Sequence, residues 1–293
     1  MRTFDPREER VEVERNVRAY RKAHRRYERA HSEIFNASEQ GRLRESLQEA
    51  VAAIGTKRDG GVARALDLGC GSGNLTAHML DLGLDVVAAD VSPDFLRDVN
   101  RRFRDRPVET IRLNGINLEG IRDHEFDLVA AYSVLHHIPN YLSMVAELHR
   151  VLRSGGILYL DHEVNENFWE KDGCLKELQR EVEELAASRT DWWNPQRRRW
   201  QRFLLPSKYV ARLRTAIDPD WWWKVEGDIH TWEGDHIEWD EIARTVERLG
   251  ADVVLCEDYL VNRPEYCDEL YDRYRETCSD MRVMAFRKHL STD

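Results

Sequence analysis

Ala65-Leu66-Asp67-Leu68-Gly69-Cys70-Gly71-Ser72-Gly73-Asn74-Leu75-Thr76 decides the reading of this chain. A short apolar run, Ala63–Leu68, drives into three alternating glycines and then into a helical stretch, Leu75–Leu82. Glycine admits positive φ and lets backbone approach a ligand closely. The helix that follows offers its unpaired N–H groups to a polar ligand. The spacing is not the dinucleotide fingerprint G-x-G-x-x-G: counted from Gly69 the third position is Asn74, and from Gly71 it is Thr76.

Outward from this turn, apolar runs alternate with helical stretches. Asp85–Ala89 ends at Asp90, Val108–Leu113 ends at Asn114, and Phe126–Ala131 and Gly156–Leu160 follow. Between them lie Pro93–Phe103 and Tyr141–Leu152 with helical periodicity. Such alternation predicts βαβ units and a parallel sheet, an α/β fold. Residues 161–237 interrupt the pattern with a stretch rich in Trp, Arg and acids, with helical pieces near Leu175–Ala187 and Ser207–Ile217. It resumes with helix Asp240–Leu249 and strands Asp252–Glu257 and Met281–Arg287. Ahead of the core, Val17, Tyr20, His24, Tyr27 and His31 recur at three- and four-residue steps, near one helical face, and Leu43, Leu47, Val51 and Ile54 form a second stripe. The division read from this is a helical lid over 1–60, a core over 61–160 and 238–293, and an inserted cap over 161–237.

The glycine turn, with an acid two residues before its first glycine, resembles motif I of the class I methyltransferases that use S-adenosylmethionine (SAM). Val86-Val87-Ala88-Ala89-Asp90 ends a second strand with a carboxylate fit to accept both ribose hydroxyls. Phe126–Ile138, with Leu135-His136-His137-Ile138, looks like the family's fourth strand and loop, and Arg150-Val151-Leu152-Arg153-Ser154-Gly155-Gly156 resembles its turn before the fifth strand. The resemblance covers residues 60–161 closely and 240–288 in pattern only. It implies a seven-stranded, mostly parallel, doubly wound sheet with the last strand antiparallel, and SAM as cofactor with S-adenosylhomocysteine as product. The cofactor contacts it implies are Asp67, Gly69, Cys70, Gly71, Gly73 and Asn74 in the turn; Asp90 and Val91 after the second strand; Asn114 and Gly115 after the third; and Ala131 and Tyr132 at the fourth. Asn114 departs from the family's usual acid there; its amide oxygen can still accept a hydrogen bond, and Asn117 competes for the role.

Methyl transfer needs an acceptor atom held against a sulfonium methyl and, for a hydroxyl or ammonium, a group to take its proton. In open α/β sheets that site lies at the carboxyl ends of the strands. His137 and His136 follow the fourth strand, and Asp161-His162-Glu163 follow the fifth. His137, His136, His162 and Glu163 are therefore the catalytic candidates, a neutral imidazole being a plausible base near pH 7. One of the paired histidines can instead simply order the loop. Tyr27, His31 and Phe35 are the acceptor-binding candidates of the lid, against the alternative of a helix merely packed on the core. Aromatics suit an organic acceptor, and Trp169, Trp192, Trp193, Trp200, Trp221, Trp222, Trp223, Trp232 and Trp239 all fall in or beside the cap. Asp228-Ile229-His230 and Glu233-Gly234-Asp235-His236 form an acid/His cluster that matches no zinc spacing, and no metal is expected.

The formal net charge of −10, from 44 Lys+Arg against 54 Asp+Glu, weakens a nucleic-acid or anionic-membrane partner. No Asn/Asp-Pro-Pro-aromatic motif follows the fourth strand. Met1–Val13 is charged, not a leader. Five cysteines lacking C-x-x-C spacing read as free thiols in a reducing compartment. The expectation is a cytoplasmic enzyme that methylates O or N of a saccharide or specialised metabolite, with a homodimer left open. The rivals are a non-catalytic SAM-binding regulator and an enzyme of this fold that transfers no methyl.

Overall fold

A computed structural model of the chain describes residues 4–23, 27–55, 61–170, 173–188, 228–232 and 234–290. The N-terminal helices are α1 (Pro6–Ala23), α2 (Tyr27–Ala30), α3 (Ser32–Phe35) and α4 (Ala37–Ala52). The core follows as β1 (Arg64–Leu68), α5 (Asn74–Asp81), β2 (Asp85–Asp90), α6 (Pro93–Arg102), β3 (Val108–Arg112), β4 (Phe126–Tyr132), α7 (Tyr141–Val151) and β5 (Leu152–Val164). Then come α8 (Glu166–Glu170), α9 (Gly173–Ser188), a two-stranded ribbon of β6 (Thr231–Trp232) and β7 (Asp235–His236), α10 (Trp239–Arg248), β8 (Ala251–Tyr259), α11 (Asp268–Tyr274) and β9 (Met281–Lys288).

Seven strands form one sheet in the order β3-β2-β1-β4-β5-β9-β8. β9 pairs antiparallel with both β5 and β8, and the pairs among β1–β5 are parallel. The expected doubly wound α/β sheet with an antiparallel final strand is the one observed.

Strand alternation sorts the core into two layers. Leu66, Leu68, Val87, Ala89, Val129 and Leu158 face α7 and α10, meeting Met144, Leu148, Ile242 and Val246. Ala65, Val86, Ala88, Leu128, Ala130 and Ile157 face α4, α5 and α6, meeting Leu43, Leu47, Met79 and Val99. Helix starts are chemically marked. Asn36 accepts the Glu39 N–H at 2.9 Å ahead of α4. Ser92 caps α6 with Pro93 in its first turn.

Four readings need correction. The face that runs Val17 to His31 in sequence is not one helix: α1 ends at Ala23, and His31 sits between α2 and α3. β5 does not stop at Leu160 but continues to Val164, with a register shift between Leu160 and Glu163, so Asp161, His162 and Glu163 lie in the sheet. Trp239 is a core residue, fully buried at the start of α10 with its indole N–H on the Val164 carbonyl at 3.0 Å. Cys174 and Cys278 are disulfide-bonded, their Cα atoms 5.7 Å apart, which ties α9 to the segment before β9; Cys70, Cys256 and Cys267 are free. Six cap tryptophans (192, 193, 200, 221, 222 and 223), Arg197–Arg199 and the helical piece near Ser207–Ile217 lie outside the described residues. No described helix is long and apolar enough to cross a membrane.

Candidate active site

A cleft opens at the carboxyl ends of β1, β2 and β4, with a space of about 980 Å³ that is partly open to solvent. Its floor is the glycine turn. Gly69, Gly71 and Gly73 have φ of 65°, 49° and 87°, the left-handed region. At Gly69 a Cβ would stand 2.0 Å from Val134 Cγ2, so β1 and the loop after β4 touch only because this residue has no side chain.

Two carboxylates stand in this floor. Asp67 is 1% exposed and accepts the Thr76 hydroxyl at 2.5 Å. Burial pushes its carboxyl up to about 7, the Thr76 bond opposing and Asp90 adding to the rise. Asp90 accepts the Gly71 N–H at 3.0 Å and the Ser92 N–H at 2.7 Å, which locks the turn to the end of β2. Burial lifts it to about 6 against those bonds. Each carboxylate keeps lone pairs beyond these partners. Ser72 Oγ and Asn74 Nδ2 are buried in the same wall with no hydrogen-bond partner among the described residues. Unpaired buried polar atoms are rare and ask for a ligand.

The far wall is apolar: Val91, Leu113, Ile138 and Val13 line it beside Gly115. A Cβ on Gly115 would lie 2.7 Å from Val13 Cγ1, so α1 closes over this end. The other end is aromatic. Tyr20 of α1 meets Phe95 at 5.8 Å and His137 at 5.5 Å between ring centroids. Tyr27 meets Phe95 at 5.6 Å and Phe35 at 6.2 Å. Burial raises the Tyr27 hydroxyl far above its ordinary value, so it stays protonated.

The loop after β4 turns through a short 3₁₀ segment, Leu135–His137. Glu163 of β5 holds it by accepting the Val134 and Leu135 N–H groups at 2.9 and 2.7 Å and pairing with His136 Nδ1 at 2.7 Å. Burial alone would neutralise both partners. Their mutual attraction wins, raising His136 to about 9 and holding Glu163 below its usual range. His137 lines the cleft, with Nε2 3.0 Å from the Tyr20 hydroxyl and Nδ1 3.2 Å from Asp228.

His162 sits behind this wall with φ of 62°. Its ring stacks on Tyr132 at 4.7 Å, and its Nδ1 faces the Tyr132 and Tyr259 hydroxyls at 3.1 and 3.2 Å. Around it runs a buried network. Arg42 of α4 donates to Glu39 and to Asp161 at 2.9 Å, and Tyr159 and Tyr259 donate to Asp161. Burial opposes the Glu39 charge, yet His162 and Arg42 hold its carboxyl below the usual range.

Of the residues singled out in the sequence, Asp67, Gly69, Cys70, Gly71, Asn74, Asp90, Val91, Gly115, Tyr132, Tyr27, Phe35 and His137 meet in the cleft. Gly73 caps α5 just beneath, and Ala131 is buried in the sheet core. Asn114 closes its own turn instead, its amide oxygen accepting the Ile116 and Asn117 N–H groups and its nitrogen donating to Asn117. His31 rests on Tyr27 at 4.4 Å and pairs with Glu33. His136, His162 and Glu163 stand outside the lining. Sequence reasoning missed Val13 and Asn16 on α1, Ser72 and Phe95. The spacing of Val13, Asn16 and Tyr20 at three and four residues was the available signal for the first two.

The strand order, the lone antiparallel strand and the glycine turn braced by an acid at the next strand end define the class I SAM-dependent methyltransferase fold. Residues 66–160 match the family described as a methyltransferase domain. A ubiquinone biosynthesis O-methyltransferase from Methylococcus capsulatus is 32% identical over 99 residues, 33% of this chain and 41% of that protein. The match thus spans about two fifths of the relative's length. A SAM-dependent methyltransferase structure from Mesorhizobium loti covers 87% of this chain and 100% of its own, with a TM-score of 0.53 at 17% identity. The cyclase SpnF covers 86% and 82%, with a TM-score of 0.51 at 15% identity. These two are likenesses of fold. Residues 66–160 thus carry the likeness to a methyltransferase domain, set within a sheet of the class I methyltransferase fold.

Proposed function

We propose that this chain binds SAM in the cleft and passes its methyl group to a hydroxyl of a small aromatic or otherwise largely apolar acceptor. SAM supplies a methyl made electrophilic by its sulfonium. Two buried carboxylates and two unpartnered polar side chains in one wall suit its ammonium, carboxylate and ribose groups. Asp67, Ser72 and Asn74 would hold the amino-acid end, and Asp90 the ribose. Val91, Leu113 and Ile138 would take the adenine. The acceptor end is the aromatic wall of Tyr20, Tyr27, Phe35 and Phe95, which excludes water and favours a ring over a saccharide. The O-methylating relatives support a hydroxyl as the nucleophile.

The observation that carries this reading is His137, an imidazole on the cleft wall held between Tyr20 and Asp228. We assign it the handling of the acceptor's proton. His162 and Glu163 act as positioning residues, through Tyr132 and through the loop after β4. The segment 1–60 is read as a lid and the residues from the end of β5 to 237 as a cap, and a soluble metabolite, without nucleic acid, as the partner.

The test is S-adenosylhomocysteine formation with a panel of catechols and other phenols, for the wild type and His137→Gln. Turnover should fall about 10²–10⁴-fold in the variant with SAM affinity nearly constant. SAM binding without product from any acceptor would favour the rivals, a SAM-binding regulator or, as the likeness to a cyclase allows, chemistry without methyl transfer.

A further inference from the structure

The two histidines after β4 do not stand alone. His136, His137 and Asp228 each bring one ligand atom into a group whose members all lie within 4.8 Å of one another. Asp228 Oδ1 is 3.2 Å from His137 Nδ1 and 4.0 Å from His136 Nε2. Ligands of one first-row cation at ordinary bond lengths stand roughly 3.0–3.4 Å apart, so a closure of at most about 1.5 Å brings the three atoms to bonding separations.

Three further observations point the same way. First, each imidazole has its other nitrogen engaged: His136 Nδ1 with Glu163 at 2.7 Å, His137 Nε2 with the Tyr20 hydroxyl at 3.0 Å. A carboxylate behind a ligating histidine is the usual device for fixing ring and tautomer at a metal. Second, Asp228 is held by the backbone, not merely near. The Ile229 and His230 N–H groups both donate to the His136 carbonyl, at 2.9 and 3.2 Å, and His230 Nε2 reaches the Ile138 and Pro139 carbonyls. Arg15 donates to the Asp228 carbonyl, not to its carboxylate. Third, the three side chains are 13–17% exposed, which leaves room for a further ligand.

The geometry points to a divalent first-row cation site made by His136 Nε2, His137 Nδ1 and Asp228, set just behind the acceptor end of the cleft that His137 lines and reaching one oxygen of the acceptor past that ring. Two imidazoles and one carboxylate suit Zn²⁺ or Mn²⁺ better than Mg²⁺. The role rests on the methyl-transfer reading. The cation holds the acceptor hydroxyl and lowers its pKa, so the O–H proton passes to water. The oxygen's electron pair then forms the new O–CH₃ bond as the sulfonium S–CH₃ bond breaks. In this form His137 is a ligand only and the proton leaves with water, not on the imidazole.

Calorimetric titration of the metal-stripped chain with Mn²⁺ and with Zn²⁺ tests the site, SAM affinity being measured on the same samples. Micromolar binding is expected in the wild type, lost about 100-fold or more in Asp228→Asn and His137→Gln and weakened about 10–100-fold in Glu163→Gln. His289→Gln, at the opposite end of the sheet, should bind as the wild type. Water-proton relaxation by bound Mn²⁺ should drop when catechol is added. No binding below about 1 mM, or binding that survives Asp228→Asn and His137→Gln, overturns the site. If SAM binds and cations do not, the metal site falls and methyl transfer stands; if cations bind and SAM does not, the reverse holds.

Discussion

Asp67 is the carboxyl on which cofactor binding should turn. Its pKa is about 7 against an ordinary 3.8, because burial within β1 disfavours the charge and Asp90 adds to the rise. Raised in the folded state, it stabilises the fold most below pH 3.8, and that contribution is lost as pH rises through about 7. A cationic ligand reverses the balance. If the SAM ammonium pairs with ionised Asp67 and returns it to its ordinary range, binding must expel the proton this carboxyl carries. At pH 6 the expected release is roughly one proton, and affinity should rise about 50–100-fold from pH 5 to pH 7.5. Calorimetry in phosphate and in Tris, whose ionisation enthalpies differ, counts the protons directly. Asp67→Asn should lose about 10–100-fold in affinity at pH 7.5, as for loss of a charge-assisted bond. Its pH slope should also flatten to what Asp90, lifted to about 6, contributes. A wild type with flat affinity over that range and no proton release would refute the pairing of Asp67 with a cation.

Three other outcomes follow from contacts already described. Gly69→Ala combines a left-handed φ with a Cβ 2.0 Å from Val134, and should cost about 1–3 kcal/mol in a denaturant titration and abolish SAM binding. Glu163→Ala strands the Val134 and Leu135 N–H groups and the His136 charge together, so a loss of about 3–5 kcal/mol is expected, with Glu163→Gln markedly milder. Tyr20→Phe keeps the ring and removes the hydroxyl beside His137; kcat should fall about 10-fold at unchanged SAM affinity, and equal turnover would show that His137 needs no such support.

The core was legible because its signals are local. Apolar runs ending at Leu68 and Asp90 state where strands stop, and glycines state where the backbone turns left. The same locality misled at Asn114. A residue in the expected register after β3 closes an Asx turn with Ile116 and Asn117, and only the geometry of those amides reveals it. Asp161-His162-Glu163 was recognised as a charged trio but not as three separate partners. Their roles depend on Arg42, which is 119 residues from Asp161, and on the β5 register shift. Nothing in the spacing of Asp228 placed it against His137. That approach is made by backbone bonds between segments some ninety residues apart.

Helix α1 lies across the cleft, with Val13 over Gly115 and Tyr20 on His137. The cleft stays partly open to solvent beside this helix, so α1 would cover one side of a bound molecule and leave the other wet. The adhesion of that one helix would then weigh on how long a donor bound as proposed, and its spent product, remain beneath it, a level of control separate from the chemistry at His137.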